Sequence, residues 1–342
     1  MINRMNRAGR ILLWGDQKAR RQTPIPDITS REVAELKRFF PRDKFFILGH
    51  ARSGTTLLTR LVRLHPEIHC NYQAHFFTRK PLLRSLVDTP EAEEWFGRKS
   101  NRWNHGRDLS PVVLRAVADY IMERDAVAVG KRIVGDKSPS SAIHGQAVRD
   151  LHAVFPDARL VHLVRDGRDV LISERLRNFV EESRFLTAQD RRILAQLRNN
   201  PHSFGNAQRS IFTAAMIRRV AGGWATNVAE IHAEGHRLFG RRYYALRYED
   251  LLKEPFDEMT KVWKFLGAGQ IAKALEARIS KELRVNPDEE WQARRGAGIA
   301  SFLAKGTAGN WRSVLTDADK RIFKEAAGRV LDSWKYAESA DW

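Results

Sequence analysis

Three stretches of the chain set a cation beside backbone that turns sharply, a combination that holds phosphate-like anions. The first, FILGHARSGTTLL at residues 46–58, runs from an apolar strand through a glycine turn into an amphipathic helix. Gly49 and Gly54 have the spacing of a P-loop, yet the lysine and Ser/Thr that follow the second glycine in a nucleoside-triphosphate site are here Thr55 and Thr56. The available cation is Arg52, placed where a guanidinium can lie alongside a bond being broken while Gly54, Thr55 and Thr56 hold one phosphate at the helix N-terminus. Such a loop suits a 5′-phosphate carrying one further group. The second stretch, FPDARLVHLVRDGRDVLIS, ends an apolar strand in Arg165 and sets Ser173 about two helical turns further on, which makes a second phosphate site at the carboxyl end of a parallel strand. In the third, AKGTAGNWR at 304–312, Lys305, Gly306 and Thr307 form a turn with a cation and close backbone access.

The elements that must carry these residues alternate short apolar runs with helical periodicity. Strands are expected at Phe45–Gly49, Ile133–Gly135, Arg159–Val164 and Tyr243–Leu246. Helices are expected at Gly54–His65, Ser141–Phe155, from Arg168 onward, and at Ser210–Ala233. This pattern predicts an α/β fold with a mostly parallel central sheet flanked by helices. Trp224 and Trp263 fall on apolar helical faces and read as core. The polar stretch from Phe179 to Asn206 reads as a lid or an insertion. No fixed-period repeat or flexible linker marks a break, so the reading is one domain over residues 44–340, preceded by an arm or leading helix over 1–43.

With 342 residues and 43% hydrophobic content, the chain can bury a large core. Cys70 is its single cysteine, which excludes an intrachain disulfide and a cysteine-based zinc site and suits a reducing, cytoplasmic setting. The apolar run Ile11–Trp14 is too short for a signal core or a membrane span, and no later segment reaches transmembrane length. A formal charge of +18 calls for anionic company. Its arginines are scattered among acidic residues rather than gathered on one aromatic-studded face, which argues against nucleic acid.

Taken together, these motifs resemble the family of sulfotransferases that use 3′-phosphoadenosine 5′-phosphosulfate (PAPS). GHARSGTTLL is similar to its 5′-phosphosulfate loop in the arginine-containing form of tyrosylprotein and bacterial members; LVRDGRDVLIS is similar to its 3′-phosphate motif; KGTAGNWR is similar to its C-terminal nucleotide loop. GDKSP at 135–139, LRYEDLLKEP and VWKFLG match further landmarks, so the likeness runs from about Phe45 to Trp334. There are departures. Leu57 replaces the tryptophan that stacks on adenine in cytosolic members, and Ala304 stands where an arginine is usual. NYQAHFF resembles a segment of the glycan-modifying branch whose glutamate is the general base, but Gln73 occupies that place.

The resemblance implies a sulfotransferase fold and transfer of a sulfuryl group from PAPS to a hydroxyl or amine of an acceptor, with a carbohydrate or small metabolite favoured. Arg52, assisted by Lys137, would neutralise the leaving oxygen. Ser53, Gly54, Thr55 and Thr56 would hold the 5′-phosphate, and Arg165, Ser173, Lys305 and Gly306 the 3′-phosphate, with no metal required. An amide cannot accept a proton, so the base passes to His75, with Asp136 second. Two alternatives stand beside this. One is a P-loop kinase or NTPase with Asp166 as magnesium ligand; the other is a non-catalytic protein that binds PAPS or its product 3′,5′-bisphosphoadenosine (PAP). Arg247, Tyr248, Glu249 and Asp250 read as a structural network at a helix start.

Overall fold

Phe45 and Ile47 alternate with Phe46 and Leu48 along Asp43–Leu48, so this strand, β1, is apolar on both faces and must be covered on both. The computed structural model, which describes residues 24–79, 82–98, 100, 102–141, 145–181, 186–269, 273–285 and 308–337, places it at the centre of a sheet. The other strands are β2 (Ile68–Tyr72), β3 (Ile133–Lys137), β4 (Arg159–Val164) and β5 (Tyr243–Arg247). Their order is β2-β3-β1-β4-β5, with every pairing parallel. Both neighbours of β1 come later in the chain, so the loops leaving β1 and β4 part above the strands' carboxyl ends and open a crevice there.

On one face Phe46, Leu48, Val134 and Leu160 pack with the helices Ser110–Ala128 and Gly145–Val154 and with Phe76 and Phe77. On the other, Phe45, Ile47, Val161 and Leu163 meet the helix Thr55–Val62 and the helix Pro255–Phe265, which brings Trp263. A third cluster joins the helices Gly167–Val180, Ala214–Phe239 and Asp317–Ser333 around Trp224 and Phe323. Trp224 and Trp263 are fully buried, as their helical spacing predicts.

Two expectations need refinement. The stretch expected as a lid or insertion is, in its described part, a helix at Ala188–Asn199 with Thr187 and Asp190 forming a reciprocal cap, and Leu194, Leu197 and Phe204 enter the third cluster. Buried Arg175 ties it down, donating to Asp190 at 2.6 Å and to the Ile211 carbonyl at 2.6 Å. Of residues 1–43, the described part begins at residue 24 and docks on the domain: Ile25 joins the core and the Ile28 amide donates to the Ala153 carbonyl at 2.8 Å. Among the described residues, no helix is long and apolar enough to cross a membrane.

Candidate functional site: an anion crevice at the ends of the strands

The loop after β1 is shaped by close approaches and left-handed backbone. A side chain at Gly49 would stand 2.6 Å from the Leu163 carbonyl oxygen, so only glycine lets the loop start against β4. Gly54 has φ +85°, and a Cβ there would meet the Tyr248 ring at 2.3 Å. Arg52 also sits at positive φ, 71°, a conformation that costs a non-glycine residue roughly 1–2 kcal/mol. The helix Thr55–Val62 then begins on Gly54 with no side-chain cap, so its first amides point into the crevice, the arrangement that attracts anions. Ser53 is fully buried beside them, and its hydroxyl has no hydrogen-bond partner among the described residues. A buried orphan donor next to uncapped amides fits a phosphate oxygen.

Three cations converge on this loop. Arg52 Nε donates to Ser173 Oγ at 3.0 Å. Arg165 Nη1 donates to the Arg52 carbonyl at 3.2 Å, with its guanidinium 4.9 Å from the Tyr248 ring centroid. Lys137 Nζ, brought in by the last residue of β3, donates to Thr56 Oγ1 at 3.3 Å and lies 5.4 Å from the Tyr72 ring. Burial holds the Lys137 ammonium below its ordinary pKa. Ser173, paired with Arg165 in the sequence reading, is bonded here to Arg52, so the two anticipated phosphate stations share one wall.

The acid–base candidates occupy the turn after β2. Gln73 and His75 both have positive φ, 57° and 54°. The turn is held by Asp136, whose Oδ1 accepts the Ala74 amide at 3.0 Å and whose Oδ2 accepts a short hydrogen bond from the Ser138 hydroxyl. Ser138 Oγ in turn accepts the His75 amide at 2.8 Å. Burial pushes the Asp136 carboxyl up to about 6, into the range of acid–base chemistry, but both of its oxygens are engaged in fixing the turn. His75 is half-buried, with Nδ1 bonded to Thr78 Oγ1 at 2.9 Å. Burial, then Arg79 and Lys137, lowers its pKa below 6.5, so at neutral pH the imidazole is uncharged.

The sulfotransferase family model matches residues 43–270, two-thirds of the chain and the span that carries this crevice. The chain belongs to the sulfotransferase family. It is 32% identical to protein-tyrosine sulfotransferase A of Caenorhabditis elegans over 133 residues, 36% of this chain and 30% of that one. To the nodulation protein NoeE of Sinorhizobium fredii it is 26% identical over 305 residues, 84% of this chain and 64% of the relative. The chain thus spans less than two-thirds of the length of the curated relatives it matches. Among solved structures, the sulfotransferase domain of the Synechococcus PCC 7002 olefin synthase superposes with a TM-score of 0.47 at 21% identity, covering 89% of this chain and 98% of that domain.

Lys305 and Gly306 lie outside the described residues; the end of their motif does not. Asp169, in the first turn of Gly167–Val180, accepts the amides of Gly309 at 2.7 Å and Trp311 at 3.0 Å, and the Arg168 guanidinium lies 3.6 Å from the Trp311 ring centroid. The magnesium role considered for Asp166 is corrected here. Its carboxylate is taken by the Arg168 guanidinium at 2.7–3.1 Å, and one oxygen also caps the helix through the Arg168 amide. The network at the end of β5 exists: Glu249 accepts the Asp166 amide at 3.0 Å and the Tyr336 hydroxyl at 2.7 Å. Tyr248, assigned to that network, instead stands between Gly54 and Arg165, a place that the sequence signals only through its position just past a strand end. Ser138 and Thr78, which orient the His75 turn, were also missed; Ser138 lies inside GDKSP.

Proposed function

We propose that this protein is a PAPS-dependent sulfotransferase that moves a sulfuryl group onto a hydroxyl or amine of an acceptor, a carbohydrate or a small metabolite, and releases PAP. One observation carries the reading: Arg52, Lys137 and Arg165 converge on an uncapped helix N-terminus beside the buried, unpartnered Ser53 hydroxyl. Family membership supports it.

The donor, when bound, supplies an activated sulfur linked to a phosphate oxygen. The backbone of Ser53 and Gly54, with Thr55 and Thr56, would hold its 5′-phosphate, and Arg165, Ser173 and the Lys305–Gly306 turn its 3′-phosphate. Lys137 and Arg52 meet the negative charge that grows on the bridging oxygen as its bond to sulfur breaks. His75 Nε2 takes the proton of the acceptor as the new bond forms, with Nδ1 held by Thr78 Oγ1. Asp136 acts through position: it fixes the Ala74 amide and Ser138, and thereby the angle at which His75 faces the crevice. In this reading the protein works as a P-loop-like, metal-independent enzyme of the cytoplasm and takes no nucleic acid.

The test is calorimetric titration of the full chain with PAP in EDTA and with ATP plus magnesium, repeated on Arg165→Ala. Metal-independent PAP binding that weakens in the variant, followed by product formation from labelled PAPS, is the expected result. Binding of magnesium-ATP alone would overturn it.

A further inference from the structure

The helix Asp317–Ser333 is closed by a strained turn that places one side chain. The Lys335 amide donates to the Asp332 carbonyl at 3.0 Å and the Tyr336 amide to the Leu331 carbonyl at 2.9 Å, the paired closure that calls for a left-handed residue at position 335. Glycine serves that place without strain, but Lys335 occupies it here, at φ 57°. The turn sends Tyr336 back into the domain, where it is 6% exposed. Buried Arg168 holds it there, donating to the Tyr336 carbonyl at 2.6 Å while it also pairs with Asp166 and lies on the Trp311 ring. Filling that space needs only an apolar ring; the tyrosine adds a hydroxyl.

That hydroxyl stands at the carboxyl end of β4. It lies 2.7 Å from Glu249 Oε2 and 3.2 Å from the Val164 carbonyl oxygen, so its one proton is shared between two acceptors. Glu249 in turn accepts the Asp166 amide through Oε1 at 3.0 Å. Between those two backbone groups is Arg165, whose own carbonyl accepts from Trp224 Nε1 at 3.1 Å. Three consecutive residues at the strand end are thus each pinned through the backbone, by side chains from three different elements. The Arg165 side chain leaves this cradle to reach the Arg52 carbonyl at 3.2 Å. A long side chain is aimed no better than the backbone that carries it, and small errors of placement are felt at the ligand.

We propose that Tyr336 is a positioning residue for the nucleotide: through the Val164 carbonyl and Glu249, its hydroxyl fixes the strand end from which Arg165 meets the 3′-phosphate of PAPS or PAP. This rests on the sulfuryl-transfer reading, which makes the anion at Arg165 that phosphate. Because Tyr336 acts through Arg165, its effect is on affinity and vanishes once the guanidinium is gone. Trp334, in the same turn, packs elsewhere, with its ring centroid 5.9 Å from that of His162 and 5.1 Å from that of His232. It supplies the comparison that separates aim from stability.

The experiment is calorimetric titration of the full chain with PAP, on the parent, Tyr336→Phe, Arg165→Ala, the Tyr336→Phe/Arg165→Ala double variant and Trp334→Leu, with a urea midpoint for each. Tyr336→Phe keeps the ring and should weaken PAP about threefold to tenfold, the loss of one hydrogen-bonding hydroxyl. With labelled PAPS, its KM should rise by a similar factor while kcat at saturating PAPS stays that of the parent. In the Arg165→Ala background the same change should weaken PAP no further. Trp334→Leu should lower the urea midpoint and leave PAP affinity where it was. Parent-like PAP affinity in Tyr336→Phe, or a full further loss in the double variant, overturns the positioning role and spares the nucleotide site. A fall in affinity in Trp334→Leu that tracks its midpoint also overturns it, because the turn then serves stability alone. Failure of the parent to bind PAP sinks the transfer reading, and this inference with it.

Discussion

Lys44 and Lys137 are both buried on neighbouring strands, at opposite ends of the sheet, and they are held in opposite ways. At the start of β1, Lys44 is locked to Glu123 at 2.7 Å and Asp119 at 3.3 Å, and Arg115 beside it grips Asp119 and Asp157. At the end of β3, Lys137 bonds to a threonine hydroxyl and lies on a tyrosine ring, while Asp136 turns its oxygens toward Ala74 and Ser138. Arg165 stands between the two cases: it donates to a carbonyl and lies over the Tyr248 ring, and the Asp169 carboxylate is near enough to feel its charge. A cation answered by a carboxylate has its charge cancelled and serves the fold. A cation held by neutral oxygens and rings keeps its field for an incoming anion.

That contrast breaks most visibly in stability. Arg115→Ala removes a fully buried guanidinium and leaves Asp119 to Lys44 and Asp157 to Lys37, and should cost about 3 kcal/mol in urea unfolding. Lys137→Met should unfold close to the parent; a loss as large as that of Arg115→Ala would erase the distinction. In turnover the order reverses. Lys137→Met keeps the stem and removes the charge, and should lower kcat about 10²–10³-fold in single-turnover assays with labelled PAPS while PAP affinity changes far less. His75→Gln should lower kcat about 10²-fold. It should also abolish the acid limb of the pH–rate profile, because the proposed base acts as neutral imidazole and activity would fall as pH drops through its lowered pKa. Arg165→Ala should weaken PAP about tenfold to a hundredfold by calorimetry, the loss of a charge-assisted hydrogen bond. The smallest effect is thermodynamic. The folded Asp136 carboxyl titrates near 6 rather than 3.8, so it holds its proton longer than the unfolded chain does. The stability that it contributes is complete below 3.8 and lost as pH rises through about 6, and Asp136→Asn should flatten urea midpoints measured between pH 4 and 7.

The sequence reads well where period and punctuation agree. Leu160–Val164 is a buried run that only His162 interrupts with a polar side chain, and with Arg159 it forms a strand over the residues expected. β2 has only Ile68 and Cys70 facing inward between His69 and Asn71, too weak an alternation to announce a strand, and it went unread. The cations of the crevice were legible because each belongs to a short motif. The ring of Tyr248 was not, because its place is decided by the space left at Gly54, far away in the chain. Gln73 marks a similar limit: the family resemblance implies that a base is lost there, whereas the Asp136 and Ser138 bonds that hold the His75 turn exist only once β2 and β3 are paired.

That pairing has a consequence for how this protein tolerates change in length. Asn71 lies opposite Asp136 and Tyr72 opposite Lys137, and the Gln73 amide continues the ladder to the Lys137 carbonyl at 2.8 Å. The two strands act as a ruler that sets how far the imidazole stands from the ammonium. A substitution at Ala74 leaves the ruler's divisions intact. Deleting Ala74, or inserting one residue before Ser138, moves one scale past the other, so along this short stretch gaps should be far harder to accommodate than replacements.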